Sequence, residues 1–140
     1  MRFSTRAEAA LRRNGGRITA ARRALLRALE RSPRPLRPRE LQALLAAEGV
    51  RKDRVSVYRN LGALLELGLL HRAVGSRAVR PCGERERRCH HAIVCSGCGS
   101  AREFHSGALE RALGEVRRAT GYRVQGHVLE LRGLCGRCRR

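Results

Sequence analysis

Tryptophan is absent from this 140-residue sequence, and aromatic residues make up only 3% of it. A core must therefore be built from Leu, Val and Ala. Long apolar runs are missing too, and none approaches the roughly 20 residues of a membrane-spanning helix. No h-region of a signal peptide opens the chain. A soluble, cytoplasmic protein is the expectation. Acidic residues are scarce, with 12 Asp and Glu against 31 Lys and Arg, and the formal net charge is +19. Lysine is nearly absent: apart from Lys52, every one of those cations is Arg. A general bias toward Arg on solvated faces accounts for part of this. An excess so large still points to nucleic acid or another anionic surface as a partner.

The first half is punctuated as helices. RFSTRAEAALRRN carries Leu11 and several alanines on an otherwise basic helix. Thr19 is placed to cap AARRALLRALERS, where Leu25, Leu26 and Leu29 recur at helical spacing. The prolines of SPRPLRPRE break the chain, and Pro38 opens a helix with Leu41, Leu44 and Leu45 on one face, ending at Gly49. Asp53 is placed to cap RVSVYRNLGALLELG, which stops at Gly68. Short β-type runs, LLHRAV and RAVRPC, flank Gly75-Ser76 as a hairpin. Beyond a charged connector come the strand HAIVC, the knuckle SGCG, the run AREFH, the helix GALERALGEVRRATG and a strand over YRVQGHVLELRG.

Helices followed by a hairpin form the pattern of a winged helix-turn-helix, and the fold class expected is α+β. Its domains are a winged-helix DNA-binding domain over 1–82, a hinge over 83–86 and a small α/β dimerisation domain over 87–140. The helices at 38–48 and 53–67 are joined by a tight turn, as the DNA-binding motif requires. The second of them would enter the major groove. Ser56, Tyr58, Arg59 and Asn60 lie in its N-terminal half and are able to contact phosphates and base edges. Packing for Tyr58 and a solvated face for Arg59 are the plainer explanations.

Six cysteines stand at positions 82, 89, 95, 98, 135 and 138. Cys95-x-x-Cys98 and Cys135-x-x-Cys138 supply four thiolates, the set of a closed structural zinc site. In a reducing compartment, paired cysteines read as metal ligands sooner than as disulfides. Such a clamp would tie the last strand to the first strand of the C-terminal domain. The run CHHAIVCSGC is crowded with donors. If it is a strand, Cys89 and His91 share one face while His90 points to the other, so the run would feed more than one site.

VSVYRNLGALLELGLL, HHAIVCSGCG and HVLELRGLCGRC, together with RITAARRALLRAL, resemble the corresponding segments of the ferric uptake regulator family of metal-sensing repressors. The resemblance covers nearly the whole chain. It departs at Ser56 and Val55 in the recognition helix, and at Ala92, where many members have the last His of the His run. The zinc uptake regulator branch uses a His or Asp just after the recognition helix, a Cys at the hinge, a His before the knuckle and a Glu just after it. The resemblance thereby implies a regulatory site of His71, Cys82, His90 and Glu103. It also implies an auxiliary site of Cys89, His91, Glu110 and His127, although Cys89 as a buried thiol and His127 as an ordinary strand residue are bland alternatives. His105 reads as a surface residue. A thiolate donor favours zinc over the harder iron(II) or manganese(II).

The function implied is that of a zinc-responsive repressor. It would bind a palindromic DNA operator as a metal-loaded homodimer, hold two to three Zn2+ per subunit and control zinc uptake genes. An iron- or manganese-responsive repressor is the alternative. A deaminase would need His-x-Glu near Pro-Cys-x-x-Cys, and neither CSGC nor CGRC follows Pro. No enzyme, membrane or small-molecule substrate is expected. A zinc-stabilised RNA-binding module would bind without an exchangeable metal.

Overall fold

Helices form where apolar side chains recur at helical spacing and a polar side chain caps the first turn. The computed structural model describes residues 2–83 and 91–140. Helix α1 spans Phe3–Arg13 and α2 spans Ala20–Arg31. Thr19 caps α2, its hydroxyl accepting from the amide of Arg22 at 3.2 Å. Helix α3, Pro38–Ala47, starts on a proline whose missing N–H costs the first turn nothing. The Glu40 carboxylate accepts from the Arg37 amide at 2.7 Å. Gly49 has φ +77, and its turn leads to Asp53, which caps α4, Arg54–Glu66, by accepting from the Ser56 amide at 2.7 Å.

Leu26, Leu29, Leu41, Leu45, Val57, Leu64 and Val79 are almost fully buried and form the centre of this part. Strands β1, Leu70–Arg72, and β2, Val79–Pro81, make an antiparallel hairpin in which His71 pairs with Arg80. A contact the sequence did not announce holds the hairpin down. Leu36 and Val79 exchange backbone hydrogen bonds of 2.9 and 2.8 Å, so the segment before α3 adds a third rung. Helix α1 is pinned to α2 by the amide and hydroxyl of Ser4, which donate to Glu30 at 3.1 and 3.0 Å. Burial pushes the Glu30 pKa up, but these donors and the Arg2 charge outweigh it and leave it below the usual carboxylate value.

The chain divides into two compact units, Met1–Gly83 and Glu84–Arg140. In the second, β3 (His91–Cys95) pairs antiparallel with β4 (Ala101–Phe104) and parallel with β5 (Glu130–Gly133), giving the order β4-β3-β5. Helix α5, Gly107–Thr120, is capped by Ser106 and ends at Gly121 with φ +69, a left-handed position that suits glycine. Among the described residues, the expected strand over YRVQGHVLELRG is shorter than its pattern suggested: Glu130–Gly133 pairs with β3. Val124 and Val128, ahead of that segment, are 38% and 83% exposed. No helix among the described residues is long and apolar enough to cross a membrane.

Candidate functional site

The knuckle Ser96–Gly99 follows β3, and the turn at Cys135–Cys138 follows β5, so the parallel pairing of β3 with β5 delivers both cysteine pairs to one end of the sheet. The four Sγ atoms of Cys95, Cys98, Cys135 and Cys138 lie within 4.8 Å of one another. Cys98 and Cys135 are 3.8 Å apart, sulfur to sulfur. Zinc–sulfur bonds of about 2.3 Å set a tetrahedral edge of about 3.8 Å, so the donor set and its spacing fit zinc. The Cys95 sulfur accepts from the amides of Cys135 at 3.3 Å and Cys98 at 3.5 Å. These bonds bring its pKa down to about 6. Cys98 is also lowered, first by its contact with the Ser100 hydroxyl. Cys138 is pushed up to about 12, chiefly through its contact with the Cys135 sulfur and then through Cys95 and Cys98. Four thiolates this close cannot all ionise together without a cation among them. Gly97 is needed for the approach, since a Cβ there would stand 3.0 Å from both Cβ and Sγ of Cys138.

The proposed regulatory ligands are distributed over both units. In the first, His71 on β1 and Cys82 just after β2 bring their donor atoms within 4.8 Å. The Cys82 amide donates to the Leu69 carbonyl at 2.9 Å, and Arg6 of α1 donates to the carbonyls of Cys82 and Gly83, fixing the end of the wing strand. Cys82 is only 6% exposed. Glu103 sits on β4 of the second unit, half-buried. Of the auxiliary set, His91 is buried on β3, with its ring 5.1 Å from that of His127 and 5.6 Å from that of Phe104. Glu110 lies exposed in the first turn of α5. His105, read as a surface residue, is exposed. Cys89 and His90, like the hinge residues 84–86, lie outside the described residues.

On α4, Val57, Leu61 and Leu64 face the core, and helical spacing puts Val55 and Arg59 on the opposite, outward face. Tyr58 is 36% exposed, and the Arg54 guanidinium lies 5.8 Å from its ring centre. Ser56 is half-buried beside the cap. Asn60 is already engaged within the protein. Its carbonyl accepts from Nε of Arg22 at 2.7 Å, and its amide donates to the Ser56 carbonyl at 2.8 Å. Arg22 also donates to the Arg17 carbonyl at 2.6 Å, so Asn60 holds a cation of α2 against α4. Sequence reasoning did not single out Arg22 or Arg54. The Arg54 to Tyr58 spacing of one helical turn was the available signal for the second; nothing local signalled the first.

A family model described as the ferric uptake regulator family matches residues 13–132. The chain belongs to that family. Members of the ferric uptake regulator family are transcription regulators, not enzymes, and they bind operator DNA as dimers. The ferric uptake regulation protein of Neisseria gonorrhoeae is 29% identical over 133 residues, which is 93% of this chain and 91% of that protein. The peroxide-responsive repressor PerR of Staphylococcus saprophyticus is 27% identical, covering 91% of this chain and 86% of its own. Among solved structures, a zinc uptake regulator complexed with zinc and DNA shares the fold with a TM-score of 0.82 at 24% identity, covering 97% of this chain and 92% of that one. The crystal structure of holo XcZur aligns with a TM-score of 0.79 at 27% identity, covering 98% and 96% of the two chains.

Proposed function

We propose that this family member is a zinc-responsive repressor that works in the cytoplasm as a homodimer on a palindromic operator. The observation that carries the zinc reading is the His71–Cys82 pair, an imidazole and a thiol held together at the end of the first unit. A thiolate donor suits zinc better than iron(II) or manganese(II). The likeness to holo XcZur supports the same branch. Residues 1–82 serve as the DNA-binding domain, and residues 87–140 as the dimerisation domain.

Zinc at the regulatory site would supply a fixed link between side chains of the two domains. His71 and Cys82 hold its first-domain end, and His90 and Glu103 supply the other. With that link made, the angle between domains is restricted, and so is the spacing of the two recognition helices in a dimer. A palindromic site demands one spacing. Coupling of this kind is typically worth about 1–3 kcal/mol. The four thiols of Cys95, Cys98, Cys135 and Cys138 hold a second, structural zinc that stays in place. Cys89, His91, Glu110 and His127 form an auxiliary site that adjusts the threshold, which brings the content to two or three ions per subunit. On α4, Arg59 reads bases, Tyr58 and Ser56 meet the backbone, and Asn60 acts through Arg22.

The second reading is an iron-, manganese- or peroxide-responsive repressor, favoured by the iron and peroxide regulators among its sequence relatives. DNA binding measured with zinc, iron(II) and manganese(II), each at a buffered free concentration, separates the two. Zinc should drive binding at the lowest free concentration. A response to iron(II) or manganese(II) with none to zinc selects the second reading.

A further inference from the structure

We infer that the hollow between α4 and the tip of the β1–β2 hairpin is a seat for one DNA phosphate, with Arg54 and Arg77 as its two arms and Tyr58 as the residue that positions them; this rests on the DNA-binding reading above. The hollow is lined by Arg37, Arg39, Arg54, Tyr58, Ser76 and Arg77, and no carboxylate lines it among the described residues. These side chains come from three places that are distant in sequence: the start of α3, the first turn of α4 and the hairpin turn. Two carboxylates adjoin these residues in sequence and both are engaged: Glu40 by Arg34 at 2.8 Å and by the Arg37 amide, and Asp53 by the Ser56 amide at 2.7 Å. Guanidinium groups gathered without a carboxylate repel one another, and an anion placed among them relieves that repulsion. A phosphodiester fits because Arg presents a planar fork of donors to phosphate oxygens.

Tyr58 gives the seat its geometry. The Arg54 guanidinium lies 5.8 Å from its ring centre, and the nearby guanidiniums of Arg54 and then Arg77 lower the pKa of its hydroxyl. Tyr58 therefore stands in the hollow between the recognition helix and the hairpin tip, beside both arms. The tip is rigid enough for this. Gly75 takes φ +68, the Ser76 hydroxyl accepts from the Ala78 amide at 3.0 Å, and the Ala73 amide donates to the Ala78 carbonyl at 2.9 Å. A second basic hollow, with Arg17, Arg22, Lys52 and Arg59, lies on the other flank of α4, so backbone contacts bracket the outward-facing Arg59. Phosphate seats of this kind set orientation, while base contacts set sequence.

The test is the salt dependence of binding between the full-length, zinc-loaded protein and a short mixed-sequence duplex. Each phosphate neutralised contributes about 0.9 to the slope of log affinity against log salt. Arg77→Ala should weaken binding, and with Arg54→Ala added the total fall in slope should be about 1, because both arms serve one phosphate. Tyr58→Phe should keep the slope and lose affinity a few-fold, and Arg117→Ala on α5 should change neither. Thermal unfolding should be unaltered in all four, since these side chains are exposed. Replacing chloride by inorganic phosphate at equal ionic strength should weaken wild type no more than Arg77→Ala. A larger loss in wild type would make the hollow a free-phosphate site and overturn the inference. A wild-type slope in the double variant, a fall of about 2 in it, or a fall in Arg117→Ala would also overturn it while leaving DNA binding intact. Absence of any duplex binding by wild type would remove the DNA-binding reading itself.

Discussion

The amide of Cys135 donates a hydrogen bond to the sulfur of Cys95 across 3.3 Å, although 40 residues separate them in sequence. That bond closes the loop formed by β4, α5 and β5 and places two knuckles against each other. A closed thiolate site of this type supplies folding free energy directly. Cys95→Ser should therefore lose the structural zinc together with the paired β3 and β5, read by zinc counting and circular dichroism. Retention of one tightly held zinc and an unchanged spectrum would count against the clamp.

Gly97→Ala probes the same site without removing a ligand. The added methyl would meet Cys138 at 3.0 Å, and the neighbour that must give way is itself a cluster sulfur. The variant should fold with zinc present but release it to a chelator many times faster than wild type. An unchanged release rate would show that the knuckles have room to spare.

The thiol pKa values give a pH dependence with a definite sign. In the metal-free fold, Cys95 is lowered from 9.0 to about 6. Its contribution to stability is present above the unfolded value near 9 and is lost as pH falls through about 6. Cys138 is raised to about 12 and remains a thiol at neutral pH. Zinc loading at pH 7 should thus release at least the Cys138 proton, and below pH 6 the Cys95 proton as well. Calorimetry in buffers of different ionisation enthalpy measures this. Zinc affinity should fall more steeply with acid below pH 6 than above it, and loading without proton release would contradict the assignment.

Much of the first unit is legible in its sequence. Thr19 and Asp53 cap the helices they were expected to cap, and the glycine that ends α4, Gly68, has φ +67. These signals are local, carried by a side chain and the amide three residues on. The two Cys-x-x-Cys pairs were legible for the same reason. What escaped was tertiary. The Leu36–Val79 bridge joins segments with no shared pattern, and the extent of β5 follows from its pairing with β3, distant in sequence. Asn60 is expected to contact DNA from its position on α4, and the structure adds a second engagement. Its hydrogen bond to Arg22, 38 residues away in sequence, has no local signature.

Arg59 and Asn60, neighbours on α4, should therefore fail differently. Arg59→Ala removes an outward-facing cation and should weaken operator binding by about 1–3 kcal/mol while relaxing base preference, with stability unchanged. Asn60→Ala releases Arg22. It should lower stability by about 1 kcal/mol, below the roughly 1.5–3 kcal/mol typical of a hydrogen bond to a charged group, because Arg22 is only half-buried. It should also weaken binding to all sequences alike. Unfolding curves and operator affinities of both variants distinguish these roles, and equal stability losses would refute the division.

On the proposed reading, the His71–Cys82 pair belongs to the metal-sensing site. Its most direct test is a zinc titration of operator binding by Cys82→Ser and Cys89→Ser beside wild type, with structural zinc counted in each. Cys82→Ser should remain a folded dimer, keep its clamp zinc and no longer bind operator in response to added zinc. Cys89→Ser should respond at a shifted zinc concentration. A normal response in Cys82→Ser, with the response abolished in Cys89→Ser, would contradict the account and move the sensing role to the Cys89, His91, Glu110 and His127 set.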